Sequence, residues 1–261
     1  MTKHSIVSRD GTRIAYDQLG AGGPPVILVL GAFNARPTGA PLAAALAGSH
    51  TVINYDRRGR GDSGDTLPYA VERELDDLDA LIGAAGGAAA VLGFSSGAAL
   101  ALAAAARGLA ITHLALYDLP LSLEPPPATA GHAAEVAALV DAGRRGDAVE
   151  YFQRRVVGLP EPVVAQLRTA PFRAALAAMA HTLVYDLTII GDGRVPLDRA
   201  GEVRAPTLAI TGAASPPFMR EAAAALAGAV PDGRALVLEG AGHDLVPELL
   251  APVLERFFER R

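Results

Sequence analysis

Short apolar runs alternate with helical segments along most of this chain, and that alternation restricts the available folds more than any other feature. The apolar runs are TRIAYDQLG (12–20), PPVILVLG (24–31), HTVINYD (50–56), AAAVLGF (88–94), ITHLALYD (111–118), PTLAITG (206–212) and ALVLEG (235–240). Runs of this length, continuous rather than alternating, fit strands buried on both faces. Between them lie helical patterns: APLAAALAG, VERELDDLDALIGAAG, SGAALALAAAARG and PPFMREAAAALAGAV, with VPELLAPVLERFFER closing the chain. Repeated strand–helix alternation predicts a mostly parallel sheet with helices on both faces.

One region breaks the rhythm. From about residue 120 to 204 no good strand is legible. HAAEVAALVDAGRRGDAVEYFQRRVVG and PFRAALAAMAHTLVYDL carry apolar residues at helical spacing, joined by proline-rich stretches. The chain therefore divides into an α/β core (1–119 and 205–261) and a helical insertion (120–204). An insertion placed this way usually covers the ligand end of the sheet.

Composition excludes several functions. With 261 residues the chain can bury a large core without staples. It has no cysteine, hence no disulfide framework and no thiolate metal site. A net charge of −5 argues against nonspecific nucleic-acid binding, which needs a basic field. No signal peptide and no apolar run of about 20 residues is visible, so the expected compartment is the cytoplasm, with no membrane partner. Lys3 is the only lysine among 23 Lys and Arg residues, a bias we read as that of a GC-rich bacterial genome. No H-E-x-x-H spacing, Walker sequence or strand-linked G-x-G-x-x-G occurs, so no metal and no nucleotide cofactor is expected.

The chemistry gathers at Gly93-Phe94-Ser95-Ser96-Gly97, which matches G-x-S-x-G between a predicted strand and a predicted helix. The flanking glycines let backbone approach closely around a strained central residue. They frame Ser95, which is therefore the candidate nucleophile. Ser96 would offer its backbone N–H at the helix N-terminus to an oxyanion. The bland alternative is a chance match in a chain with 28 glycines. A serine hydroxyl needs a base. Of six histidines, His4 and His50 precede strands and read as surface residues, His113 begins a strand, and His132 and His181 lie in the insertion. His243, in EGAGHDL, follows the last predicted strand and sits where a base can reach the elbow.

Taken together, VILVLGAFNARP, TVINYDRRGRGDSGD, GFSSG and EGAGHDL resemble the oxyanion loop, strand-four signature, nucleophile elbow and histidine loop of the α/β-hydrolase fold enzymes, over essentially the full chain. The resemblance implies the order Ser, acid, His, hence Ser95 and His243. The acid departs from the common pattern, because three residues after Gly212 stands Ser215. The family's other location, the end of the sixth strand, holds Asp118, our expected acid. A loop carboxylate or a dyad is the alternative. Asp244 and Asp232 read as loop and turn residues. By position Ala32 supplies the second oxyanion N–H, with Phe33 as a possible neighbour. The Asp56–Asp65 stretch reads as a salt-bridged turn rather than an anion site. Phe33, Phe172, Met179 and Tyr185 are the expected pocket residues, though ordinary packing of the insertion would equally use Phe172 and Met179.

The expectation is a cofactor-free serine hydrolase acting on an ester, thioester or lactone of a moderately apolar small molecule. The alternatives are a carbon–carbon hydrolase, perhydrolase or natural-product cyclase of the same fold, or a catalytically silent binding protein. Oligomeric state is open.

Overall fold

The computed structural model describes residues 2–20 and 22–259. Its strands are β1 (Thr2–Val7), β2 (Arg13–Leu19), β3 (Pro25–Val29), β4 (Thr51–Tyr55), β5 (Ala89–Phe94), β6 (Ile111–Tyr117), β7 (Thr207–Gly212) and β8 (Gly233–Leu238). They form one sheet in the order β1-β2-β4-β3-β5-β6-β7-β8. The β1/β2 and β2/β4 pairs are antiparallel and the rest are parallel. The carboxyl ends of β3, β5, β6, β7 and β8 therefore open toward one edge of the sheet.

Successive side chains leave opposite faces of a strand, and both faces here are covered. Ile27, Val29, Ala89 and Val91 enter one core; Val26, Leu28, Leu30, Leu92 and Phe94 enter the other. The first core is closed by α2 (Val71–Ala84) and α3 (Ser96–Ala106), the second by α1 (Arg36–Leu46). Between β6 and β7 the chain forms α4 (His132–Asp141), α5 (Arg145–Tyr151), a π-helical turn (Phe152–Val156), α6 (Glu161–Arg168), α7 (Arg173–Ala178), α8 (Thr182–Ile190) and α9 (Leu197–Ala200). After β7 come α10 (Pro217–Ala229), on the first core, and α11 (Pro247–Phe258), on the second.

α3 is built of alanine and leucine and is buried almost all round, as a helix must be when it lies under the sheet's centre and beneath α8. α2 is one-sided: Leu75, Leu78, Leu81 and Ile82 face the core, while Glu72 and Glu74 in its first turn suit the helix dipole. Each fully buried leucine contributes roughly 1.5–3 kcal/mol.

The structure departs from the sequence reading at three places. β1 was not legible, because its residues 3–7 are mostly polar and exposed; it is held by backbone pairing to β2 at the sheet's edge. ALVLEG is not buried on both faces: β8 is the opposite edge, with only Leu238 buried. His50, expected at the surface, is 1% exposed; its ring packs edge-on to Phe258 and its Nδ1 lies 2.9 Å from Ser49 Oγ.

Candidate active site

Ser95 sits in the turn between β5 and α3 with φ 55° and ψ −129°, a conformation costly for any residue with a side chain. The surrounding backbone enforces it. Ser95 N–H donates to Tyr117 O at 3.0 Å, and Ser95 O accepts from Ala98 N–H at 2.8 Å. A Cβ on Gly97 would lie 2.1 Å from Val29 O, and one on Gly93 2.5 Å from Ala98 Cα. Only glycine fits at either position, and the strained serine is thrust out between them.

The loop after β8 brings His243 to this turn. Its Nε2 is 3.1 Å from Ser95 Oγ and its Nδ1 is 3.1 Å from Asp118 Oδ2. The Phe94 ring packs 5.0 Å from the imidazole, and Tyr117 OH donates to Gly242 O beside it. Asp118 follows β6, with φ 50°, and is fully buried. A buried carboxylate must have its lone pairs satisfied. Here Gly212 N–H donates to Oδ1 at 3.1 Å, and the Ser215 hydroxyl donates to Oδ2 at 2.7 Å. Ser215, at the position where the common acid was missing, thus supports the carboxylate contributed by the neighbouring strand. The sequence carried a hint of this, since a hydroxyl stands at that position.

The turn after β3 lies against the elbow. Asn34 N–H donates to Gly31 O at 3.3 Å, closing a four-residue turn with Phe33 at φ 62°. Ala32 N–H, expected to face a reacting oxygen, instead donates to Ser96 Oγ at 3.0 Å. Ser96 Oγ in turn donates to Asp186 Oδ1 at 2.7 Å. Ser96 N–H, the first of α3, has no intrahelical acceptor.

The Asp56–Asp65 stretch is a salt-bridged buttress, as expected, but a buried one. Arg57, Arg58 and Arg60 are at most 2% exposed. Arg57 pairs with Glu74 and Asp186 at 2.7 Å each, Arg60 with Asp186 at 2.7 Å, and Arg58 with Asp77 at 2.7 Å. Arg57 also donates to Leu30 O at 3.2 Å, and Arg60 to Gly31 O. Burial alone would raise the Asp186 carboxyl, but Arg60, Arg57 and the Ser96 hydroxyl outweigh it and hold it below the ordinary carboxylate range. It is a fixed anion. Asp186 was not foreseen as the partner of these arginines and of Ser96, because residue 186 lies in α8, far along the chain.

The expected pocket residues separate. Phe33 meets the Phe152 ring edge-on at 5.3 Å, in an apolar cluster with Val136, Val149 and Leu183. Tyr185 does not line a pocket. It is 5% exposed, stacks on Tyr69 at 3.9 Å and donates to Asp65 at 2.7 Å, so α8's amphipathic tyrosine is spent on the seam with the core. Phe172 is 51% exposed at the start of α7, pointing away from any core. Met179, half-buried, ends α7. Among the described residues no group of three or more His, Asp or Glu side chains could hold a metal ion, and no helix is long and apolar enough to cross a membrane.

Comparison with known proteins points one way. Residues 20–254 match a family model described as the alpha/beta hydrolase family. The chain is similar to the crystal structure of an alpha/beta hydrolase from Sphaerobacter thermophilus DSM 20745, at 50% identity and TM-score 0.92, covering 98% of this chain and 100% of that one. It also shares its fold with a thermophilic esterase from Thermogutta terrifontis (23% identity, TM-score 0.76, 99% and 98% covered). The enol-lactonase from Burkholderia xenovorans LB400 is a third such structure (23%, 0.69, 98% and 100%). No curated protein matches the sequence.

Proposed function

Because this chain belongs to the alpha/beta hydrolase family and is a hydrolase by that membership, we propose that it is a cofactor-free serine hydrolase cleaving an ester, thioester or lactone. The observation that carries this reading is the unbroken hydrogen-bond chain from Ser95 Oγ through His243 to Asp118, with Asp118 itself held by Gly212 and Ser215.

The chemistry follows from the atoms. Ser95 Oγ attacks the substrate carbonyl carbon while its proton passes to His243 Nε2. Asp118 fixes the Nδ1–H tautomer and stabilises the imidazolium without taking its proton. The carbonyl oxygen becomes an oxyanion, met by Ser96 N–H and by an amide of the turn after β3. Collapse breaks the bond to the leaving oxygen or sulfur, which takes the proton from His243. Water then attacks the acyl-serine carbon, giving its proton to His243, and the acid leaves as Ser95 recovers its proton.

The insertion acts as a cap of which α4, α5, α8 and the π-helical turn face Ala32 and Phe33. That apolar cluster suits a moderately apolar acyl or alkyl group. The names of the fold relatives, an esterase and an enol-lactonase, agree with a carbonyl–oxygen bond as the target. A silent binding protein would have no need of a buried carboxylate aimed at His243.

Labelling with a fluorophosphonate tests this. The wild type should label, and Ser95→Ala should not. A wild type that does not react would overturn the proposal.

A further inference from the structure

Resting on that reading, we infer that the amide of the β3 turn that meets the oxyanion is Phe33 N–H, and that Ser96 and Asp186 are positioning residues that hold the Ala32 amide out of this role. The inference starts from an inventory of the turn. Arg57 holds Leu30 O and Arg60 holds Gly31 O. Ser96 Oγ accepts Ala32 N–H at 3.0 Å. Asn34 Nδ2 donates to Ala32 O at 2.7 Å, and Asn34 N–H donates to Gly31 O. Leu30 O, Gly31 O, Ala32 N–H and Ala32 O are thus all engaged. Phe33 N–H has no partner among the described residues.

The peptide unit joining Gly31 to Ala32 is gripped at both ends, its carbonyl by Arg60 and its N–H by Ser96. Both grips lead to one carboxylate. Asp186 Oδ2 takes Arg60, while Oδ1 takes Arg57 and the Ser96 hydroxyl. The Ser96 proton is committed to that anion in a 2.7 Å charge-assisted bond, which turns an oxygen lone pair toward Ala32. The hydroxyl is therefore a fixed acceptor, and Ala32 N–H stays with it while the fixed anion persists. In the next peptide unit the carbonyl is tied by Asn34. A trans peptide plane puts its N–H on the opposite side, away from the tied carbonyl. Ser95 and Ser96 thus divide the labour of the elbow. Ser95 supplies the reacting oxygen, while the Ser96 side chain sets which amide of the facing turn receives the charge.

The test uses the wild-type protein phosphonylated on Ser95, whose P–O⁻ or P=O stands where the oxyanion would. Ala32-Phe33 is the only Ala-Phe step and Ser95-Ser96 the only Ser-Ser step in the sequence. Carbonyl-¹³C alanine with ¹⁵N phenylalanine therefore isolates the Phe33 amide as one NMR signal. Doubly labelled serine isolates Ser96, and carbonyl-¹³C glycine with ¹⁵N alanine contains Ala32. On phosphonylation the Phe33 and Ser96 amide protons should move strongly downfield, and Ala32 should stay near its resting position. A large downfield shift at Ala32 with none at Phe33 overturns the inference while leaving the serine hydrolase intact. Failure of Ser95 to take the phosphonate overturns the hydrolase reading itself. Ser96→Ala should lower kcat about tenfold, the usual worth of one lost hydrogen bond, with KM little changed; Ser96→Thr, which keeps the hydroxyl, should restore it. A Ser96→Ala kcat at or above wild type would mean that the hydroxyl competes with the substrate for Ala32, and would also refute the assignment.

Discussion

Replacing Asp118 by Asn should abolish most activity while leaving the fold in place, and the neighbouring donors say why. Gly212 N–H is a backbone donor 3.1 Å from Oδ1 and cannot turn. It demands an oxygen, so the amide of Asp118→Asn must put its NH2 at the Oδ2 position, 2.7 Å from Ser215 Oγ and 3.1 Å from His243 Nδ1. Ser215 adapts by rotating its hydroxyl to accept. His243 must accept at Nδ1, which sends its proton to Nε2, facing Ser95 Oγ across 3.1 Å. The base is then blocked by its own proton. Inverting a tautomer in such a triad costs about 10⁴ in rate, or about 5 kcal/mol of transition-state stabilisation. Stability should fall by only about 1–3 kcal/mol, as charge-assisted bonds become neutral ones. The assay is kcat/KM on a short p-nitrophenyl ester at fixed pH, beside a thermal melt. A folded variant that loses less than about tenfold would refute the tautomer reasoning.

The position of the acid should be movable: adding Ser215→Asp to Asp118→Asn places a carboxylate on β7's loop within reach of the same contacts, and should recover part of the lost kcat/KM. No recovery with the fold intact would show that Ser215 lies too far from Nδ1. Gly97→Ala drives a methyl into Val29 O, and should destabilise by about 3 kcal/mol and abolish labelling of Ser95; a near-native melt would contradict the close approach. Burial, above all, depresses both His50 and His181 below the ordinary 6.5. Such groups bind protons in the unfolded chain first, so the stability they allow is full above pH 6.5 and lost as pH falls toward their folded values. The melting temperature should therefore drop as pH falls below 6.5, less steeply in His50→Gln; a flat profile would count against a buried neutral His50.

What the sequence made legible is what local physics governs. Ser95 was identifiable because two glycines and a strand–helix junction have no cheaper use together, and His243 because a Gly-rich loop after the last strand can reach only so far. The interior strands were legible because both of their faces are apolar; β1 was not, because an edge strand held by backbone bonds has no pattern to show. Asp118 could be reached through the gap left at Ser215, but not the bond between them. Ala32 and Tyr185 show the limit from the other side. Each has the right position in the chain, yet the polar group of each is already claimed, by Ser96 and by Asp65, through pairings between distant segments. Asp186 was invisible for the same reason: a buried carboxylate is specified by two guanidiniums about 130 residues earlier.

That long-range pairing also orders events during synthesis. The only ion-pair partner of Arg60 among the described residues is Asp186. A nascent chain carrying only β1 through β6 would hold the Arg60 guanidinium with no counter-charge where the interior should close. The turn that faces Ser95 is therefore completed only with α8, whose Asp186 supplies the counter-charge to Arg60 and the acceptor for Ser96.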